Sequence, residues 1–184
     1  MAHQAGREAE DQLLSGQDRV DLPALAVRLQ ELAIARGLSV GTAESCTGGL
    51  IGHSITSVAG ASDYYVGGII SYADAVKTAS LGVGAGAIER HGAVSAQVAV
   101  AMADGLRERL GCDYAVAVTG VAGPSGGSEA KPVGLTYVAT AGPEGDEVRR
   151  HLWDGDRVEN KERSAAAALE LLIEAIGRAQ AGRS

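Results

Sequence analysis

The chain has 184 residues, 46% hydrophobic and 21% charged; this is the length of one domain with a short tail and excludes both two full enzyme domains and disorder throughout. Five Tyr, one Trp and no Phe stand against 26 Gly, so the core must be aliphatic and many turns tight. A formal net charge of -7 argues against direct nucleic-acid binding, which needs clustered Lys and Arg.

Residues 1–20 are polar, net acidic and without sustained periodicity, the pattern of an extension, and the folded domain is expected over residues 21–184. From Pro23, Leu25, Leu29, Leu32 and Ala33 fall at helical spacing and the pattern stops at Gly37 after Arg36, which predicts a first helix. Leu38 to Ala43 reads as a short strand, residues 44–49 (ESCTGG) as a tight turn, and Leu50 to Val58 as a helix. Val66 to Tyr72 (VGGIISY) reads as a buried strand and Asp74 to Leu81 as the short helix after it. Ser95 suits the cap of a helix carrying Val98, Met102, Leu106 and Leu110 on one face. Tyr114 to Thr119 (YAVAVT) has the continuous apolarity of a central strand. A glycine-rich loop from Gly120 to Pro132 leads to strands Val133 to Ala141 and Gly145 to Trp153, joined by a hairpin turn at residues 142–145 (GPEG). The last helix is expected from Val158 to Ala179, with Ala165, Leu169, Leu172, Ile173 and Ile176 facing inward. Alternating helices and strands with one hairpin predict a single three-layer α/β/α domain around a mixed sheet.

No apolar run approaches the roughly 18 residues of a membrane span, and the first residues lack a signal peptide's basic start and apolar middle. Cys46 and Cys112 lack CxxC spacing, so neither a disulfide framework nor a zinc site is indicated. Together these features imply a cytoplasmic protein with no membrane partner.

Three loops, near residues 44–49, 72–77 and 119–131, each follow a predicted strand, and open α/β sheets bind ligands beyond the carboxyl ends of their strands. In the first, Ser45 sits where strand gives way to helix. It reads either as a nucleophile facing an oxyanion hole built from the N–H groups of Cys46 and Thr47, or, with Thr47, as a helix cap. Lys77 is the only Lys or Arg between Arg36 and Arg90. A lysine held near apolar surface loses solvation of its charged form, and the neutral amine can take a proton from a serine hydroxyl; the competing reading is a solvated lysine on a short helix. Cys46 is a second nucleophile candidate or a packing residue. His3, His53, His91 and His151 have no partner at ligand spacing. The Gly120–Gly127 loop lacks GxxxxGK[ST] spacing, while Arg157 and Lys131 are either phosphate-neutralising or surface charges.

The segments TAESCTGG (Thr42 to Gly49), VGGIISYADAVK (Val66 to Lys77), GAVS (Gly92 to Ser95), VTGVAGPSGG (Val118 to Gly127) and KPVG (Lys131 to Gly134) together resemble the CinA C-terminal-domain family of competence/damage-inducible proteins, including its stand-alone nicotinamide-nucleotide amidases. The resemblance runs from about Pro23 to the end, and the length fits the stand-alone form. It implies hydrolysis of nicotinamide mononucleotide to nicotinate mononucleotide and ammonia through a serine–lysine pair, matched here by Ser45 and Lys77, in a protein that self-associates as a homo-oligomer. With it, Tyr72 is expected to orient Lys77 or stack on the pyridinium ring. Glu44 is expected to hold the loop and the N–H groups of Cys46 and Thr47 to stabilise the oxyanion. Glu44, Cys46, Thr47 and Gly48 count among the expected substrate-binding residues, with Thr119, Gly120 and Arg157 on the ribose and phosphate, and the resemblance implies no metal and no cofactor. The runner-up is a catalytically weak binding or regulatory module. Two segments depart from the family pattern. SYADAVK stands where SYSNEAK is common, so Asp74 and Ala75 replace an amide and a carboxylate, and a carboxylate meeting Lys77 would slow it as a base. Asn160 and Lys161 follow GDR where an apolar and a basic residue are usual.

Overall fold

In the computed structural model, residues 20–179 are described; the proposed extension lies almost wholly outside them, as does His3. The elements are α1 (Leu22–Arg36), β1 (Val40–Glu44), α2 (Leu50–Thr56), a 3-10 turn (Ala61–Asp63), β2 (Tyr65–Ile70), α3 (Asp74–Leu81), α4 (Ala85–His91), α5 (Ala96–Leu110), β3 (Tyr114–Gly120), β4 (Leu135–Gly142), β5 (Gly145–Leu152) and α6 (Arg157–Arg178). Local chemistry sets their ends. The Asp21 carboxylate accepts from the Ala24 N–H at the start of α1, and Gly37 closes that helix at φ 62°, a left-handed conformation that suits glycine. Ser95 caps α5 through the Val98 N–H. Asp156 and Glu159 form a reciprocal capping box on α6.

The strands form one sheet in the order β2-β1-β3-β4-β5. β1 pairs in parallel with β2 and β3, whereas β3-β4-β5 is antiparallel, and the expected hairpin turn closes with Gly142 opposite Gly145. The two faces of the sheet differ in thickness. Val40, Val116, Val118 and Val138 pack against α1, α2 and α6, while Ala43, Ala115, Ala117, Ala139 and Ala141 face Val98, Met102 and Leu106 of α5 and Leu81 of α3. Small residues let the second helical layer lie close. Gly105 in α5 marks the tightest point, since a Cβ there would fall 1.7 Å from the Leu81 carbonyl. This contact sets α3 close against α5.

The mixed three-layer fold is the expected one, with two differences. The run expected as a buried strand is an edge strand, with Val66 and Ile70 half-exposed at 50% and 55%; apolarity does not report how many neighbours a strand has. The α4 helix was not expected, because it buries no residue and so shows no apolar stripe.

Candidate active site

At the carboxyl end of the parallel half, the ladder continues one residue past the strands. Glu44 lies opposite Ile70 on one side and Val118 on the other. The Ser45 N–H then donates to the Val118 carbonyl at 3.0 Å, and the Ser71 N–H to the Glu44 carbonyl at 2.8 Å. Ser71, Ser45 and Thr119 therefore form one row across three adjacent strands. Strand alternation points all three toward the thin, alanine-lined face, two residues beyond Ile69, Ala43 and Ala117. A cavity of about 270 Å³ opens here, lined by Ser45, Cys46, Tyr72, Asp74, Lys77, Thr119, Gly120 and Arg157 among others. All three loops chosen from the sequence meet in it. A larger groove of about 650 Å³ between α1 and α2 is mainly apolar and holds no nucleophile–base pair.

The loop after β1 differs from the expectation in its cap. A four-residue turn, Cys46 to Gly49, precedes α2, and Gly49 occupies the N-cap at φ 99° with no side-chain cap. Neither Ser45 nor Thr47 caps the helix. Glu44 does so from beneath, where its buried carboxylate accepts from the N–H groups of Gly49 (2.9 Å), Ile51 (3.1 Å) and Gly52 (2.8 Å). The first amides of α2 therefore point at Glu44 and not into the cavity. The N–H groups of Cys46 and Thr47, by contrast, donate to no carbonyl among the described residues; their neighbour is the Cys46 thiol. Burial pushes that thiol up to about 12, which keeps it protonated and leaves the Ser45 hydroxyl as the candidate nucleophile in the lining.

Lys77 reaches the site from α3 and is 1% exposed. Its Nζ donates to the carbonyls of Ser71 (3.0 Å) and Tyr72 (3.2 Å) and lies 3.4 Å from Asp74 Oδ1. The solvated-lysine reading is thus excluded by burial. The anticipated meeting with Asp74 occurs, but Asp74 is 56% exposed, so water screens the attraction. Two carbonyls fix the amine one strand away from Ser45.

Across the cavity, Arg157 in the first turn of α6 donates to the Gly123 carbonyl at 2.6 Å and to the Tyr72 hydroxyl at 3.1 Å. Tyr72 thus meets Lys77 through its carbonyl only, while its phenol, expected near the lysine, is turned to Arg157. Both Arg157 partners are neutral, whereas the Lys77 amine has the Asp74 carboxylate 3.4 Å away. Arg157 is therefore the uncompensated charge in the lining, and it favours an anion.

The remaining sequence candidates separate by position. Thr119 and Gly120 line the cavity, with the Thr119 hydroxyl donating to the Ala93 carbonyl at 2.9 Å. Glu44, Thr47 and Gly48 do not line it: Glu44 and Thr47 are buried beneath the loop, and Gly48 turns outward at φ 65°. Lys131 donates to the His91 carbonyl, away from the cavity. His53 borders the larger groove, His91 ends α4, and His151 stacks on Trp153 with ring centroids 4.7 Å apart, burial holding its pKa below the usual value. Asn160 is buried yet satisfied, donating to the carbonyls of Ala122 and Gly155 and accepting from the Gly155 N–H; the polar residue in an apolar position is thereby accommodated. Sequence reasoning missed Ser71, whose only signal was its place at the end of a parallel strand, and the lining residues Ala93, Val94, Ser125 and Gly126, which no local pattern marks.

Residues 23–176 match the family model described as the CinA C-terminal domain. A CinA-like protein from Salinibacter ruber is 52% identical over 136 residues, which cover 74% of this chain and 33% of the relative. One from Desulfotalea psychrophila is 46% identical over 139 residues, covering 76% and 34%. The chain thus spans about a third of the length of the curated relatives it matches. Among solved structures, the competence/damage inducible protein CihA from Agrobacterium tumefaciens superposes with a TM-score of 0.82 at 42% identity, covering 85% of this chain and 96% of that one. The competence damage-inducible protein A from Klebsiella pneumoniae gives 0.84 at 31% identity, with 87% and 99% covered.

Proposed function

The chain belongs to the CinA C-terminal domain family, and on that premise we propose that it is a serine–lysine amidohydrolase that cleaves the carboxamide of nicotinamide mononucleotide, giving nicotinate mononucleotide and ammonia. The observation that carries this reading is the buried Lys77 amine, held by the carbonyls of Ser71 and Tyr72 on the strand next to Ser45 in the lining of one cavity. Neutral Lys77 accepts the Ser45 proton as the serine oxygen attacks the carboxamide carbon. The N–H groups of Cys46 and Thr47 stabilise the oxyanion. Lys77 returns the proton to the departing nitrogen, ammonia leaves, and water hydrolyses the acyl-enzyme by the same route in reverse. Arg157 supports a phosphorylated substrate, because its cation has only neutral partners, and the Tyr72 ring at the cavity mouth offers its face to a pyridinium cation. Glu44 and Gly48 act through the loop without touching the ligand, and Thr47 touches it through its N–H alone.

The test is ammonia release from nicotinamide mononucleotide by the wild type, Ser45→Ala and Lys77→Ala, with free nicotinamide as control. Turnover by the wild type alone, on the nucleotide alone, is expected; turnover of free nicotinamide at the same rate would move the substrate to another small carboxamide.

The second reading, a binding or regulatory module with weak catalysis, is favoured by one contact. Asp74 completes three acceptors around Nζ, which suits an ammonium better than an amine. It predicts nucleotide binding without turnover, measurable by calorimetry. We place the protein in the cytoplasm as a self-associating chain, which light scattering tests; among the described residues no helix is long and apolar enough to cross a membrane.

A further inference from the structure

The row of hydroxyls at the strand ends contains one group that the mechanism above does not use. Ser71 is fully buried, and its Oγ makes no hydrogen bond to any described residue, although buried hydroxyls are nearly always paired. Its backbone, by contrast, is fully engaged in the site: the N–H donates to the carbonyl of Glu44, the residue before Ser45, and the carbonyl accepts from Lys77 Nζ. Parallel neighbours lie about 4.8 Å apart across a sheet, so the Ser71 and Ser45 side chains start from adjacent positions on one face. On its other side, Thr119 ties its hydroxyl to the Ala93 carbonyl. Of the two hydroxyls flanking Ser45, only that of Ser71 is uncommitted, and it lies on the side of the lysine. A serine needs only a rotation about Cα–Cβ to turn its hydroxyl between two neighbours, and it can accept one proton while donating another.

We propose that Ser71 is a further catalytic residue, a hydroxyl relay between Ser45 and Lys77. This rests on the amidohydrolase reading. As the bond from Ser45 Oγ to the carboxamide carbon forms and the carbonyl π pair moves onto oxygen, the Ser45 proton passes to Ser71 Oγ and the Ser71 proton passes to the lone pair of Lys77 Nζ. In the collapse, an ammonium proton of Lys77 moves to Ser71, the Ser71 proton moves to the leaving nitrogen, and the carbon–nitrogen bond breaks to release ammonia. Ser71 ends each half-reaction neutral and unchanged. The relay lets the lysine stay on its two carbonyls while it exchanges protons with a nucleophile on the neighbouring strand.

The experiment compares wild type, Ser71→Ala, Ser71→Thr and Ser45→Ala by two readouts: ammonia release from nicotinamide mononucleotide, and the rate at which phenylmethylsulfonyl fluoride sulfonylates Ser45, followed by intact mass. General acid–base help is typically worth about 10²-fold or more, so Ser71→Ala is expected to lower kcat and the sulfonylation rate by about 10²-fold at unchanged KM and unchanged thermal midpoint. Ser71→Thr, which restores a hydroxyl, is expected to recover most of both rates. Ser71→Ala that turns over and reacts like the wild type overturns the relay and leaves the dyad standing, and so does a folded Ser71→Thr as slow as the alanine variant. A wild type that is sulfonylated at Ser45 but inert toward the nucleotide, with Ser71→Ala slowed, keeps the relay and overturns the substrate. A wild type inert in both overturns relay and dyad together.

Discussion

Glu44 and Ser45 are consecutive residues at the end of β1, and they face different surroundings: the Glu44 carboxylate ties down the backbone that starts α2, while Ser45 lines the cavity. Beneath the loop, on the valine-lined face, Glu44 accepts three amides, Thr42 pairs with Tyr65 at 2.7 Å, and Thr136, Ser164 and Trp153 form a connected set, while Thr47 Oγ1, Tyr64 OH and His151 Nε2 make no hydrogen bond among the described residues. Above it, on the alanine-lined face, the Ser71 hydroxyl has no hydrogen-bond partner and Arg157 only neutral ones among the described residues. Structural polar groups lower the free energy by being paired; groups that act on a substrate must keep some capacity unpaired. Glu44 commits its carboxylate to the scaffold, whereas Ser45 and Arg157 line the cavity.

Substitutions on the two sides should therefore have different consequences. The largest effect is expected from Ser45→Ala, a loss of about 10⁴-fold or more in kcat with a thermal midpoint within error of the wild type; an equal loss of stability would make Ser45 part of the scaffold. Glu44→Ala should do the reverse, destabilising the fold by about 3 kcal/mol because three amides lose one buried acceptor, as read by urea unfolding. Next, Arg157→Ala should raise KM for the nucleotide by about 10- to 100-fold, the range for a hydrogen bond to a charged group, while leaving slow turnover of free nicotinamide, if any, untouched. Asp74→Asn removes the carboxylate that favours the ammonium form of its neighbour and should raise turnover at neutral pH by about two- to fivefold, a modest gain because Asp74 is 56% exposed. The smallest effect concerns Cys46. With its thiol pushed up to about 12 by burial, iodoacetamide at pH 8 should label the folded chain there far more slowly than the unfolded one. The sign of the linkage is fixed: the stability this thiol contributes is full below its unfolded value of 9.0 and is lost as pH rises toward about 12, a decline that Cys46→Ala should flatten.

Much of this was legible in the sequence. Periodicity and capping residues marked α1, α5 and α6, and the run of Tyr114 to Thr119 marked the central strand, because buried faces and helix ends impose local patterns. The loops bearing Ser45 and Lys77 were legible because each follows a strand, where an α/β sheet binds its ligands. What escaped was non-local. Nothing near Glu44 shows that it caps a helix five residues later from below, nor that Tyr72 turns its phenol to Arg157, 85 residues away. The edge position of β2 depends on strand order, which apolarity does not encode.

By itself the sequence determined the fold class, the strand-end loops and the candidate nucleophile and base they carry, since these follow from hydrophobic spacing, turn residues and side-chain chemistry along a few consecutive positions. The tertiary structure alone decided which hydroxyls share a row, which carbonyls hold the Lys77 amine and which carboxylate is scaffold. Those depend on register between strands and on how closely Gly105 of α5 lets α3 approach, quantities fixed by packing between segments far apart in the chain.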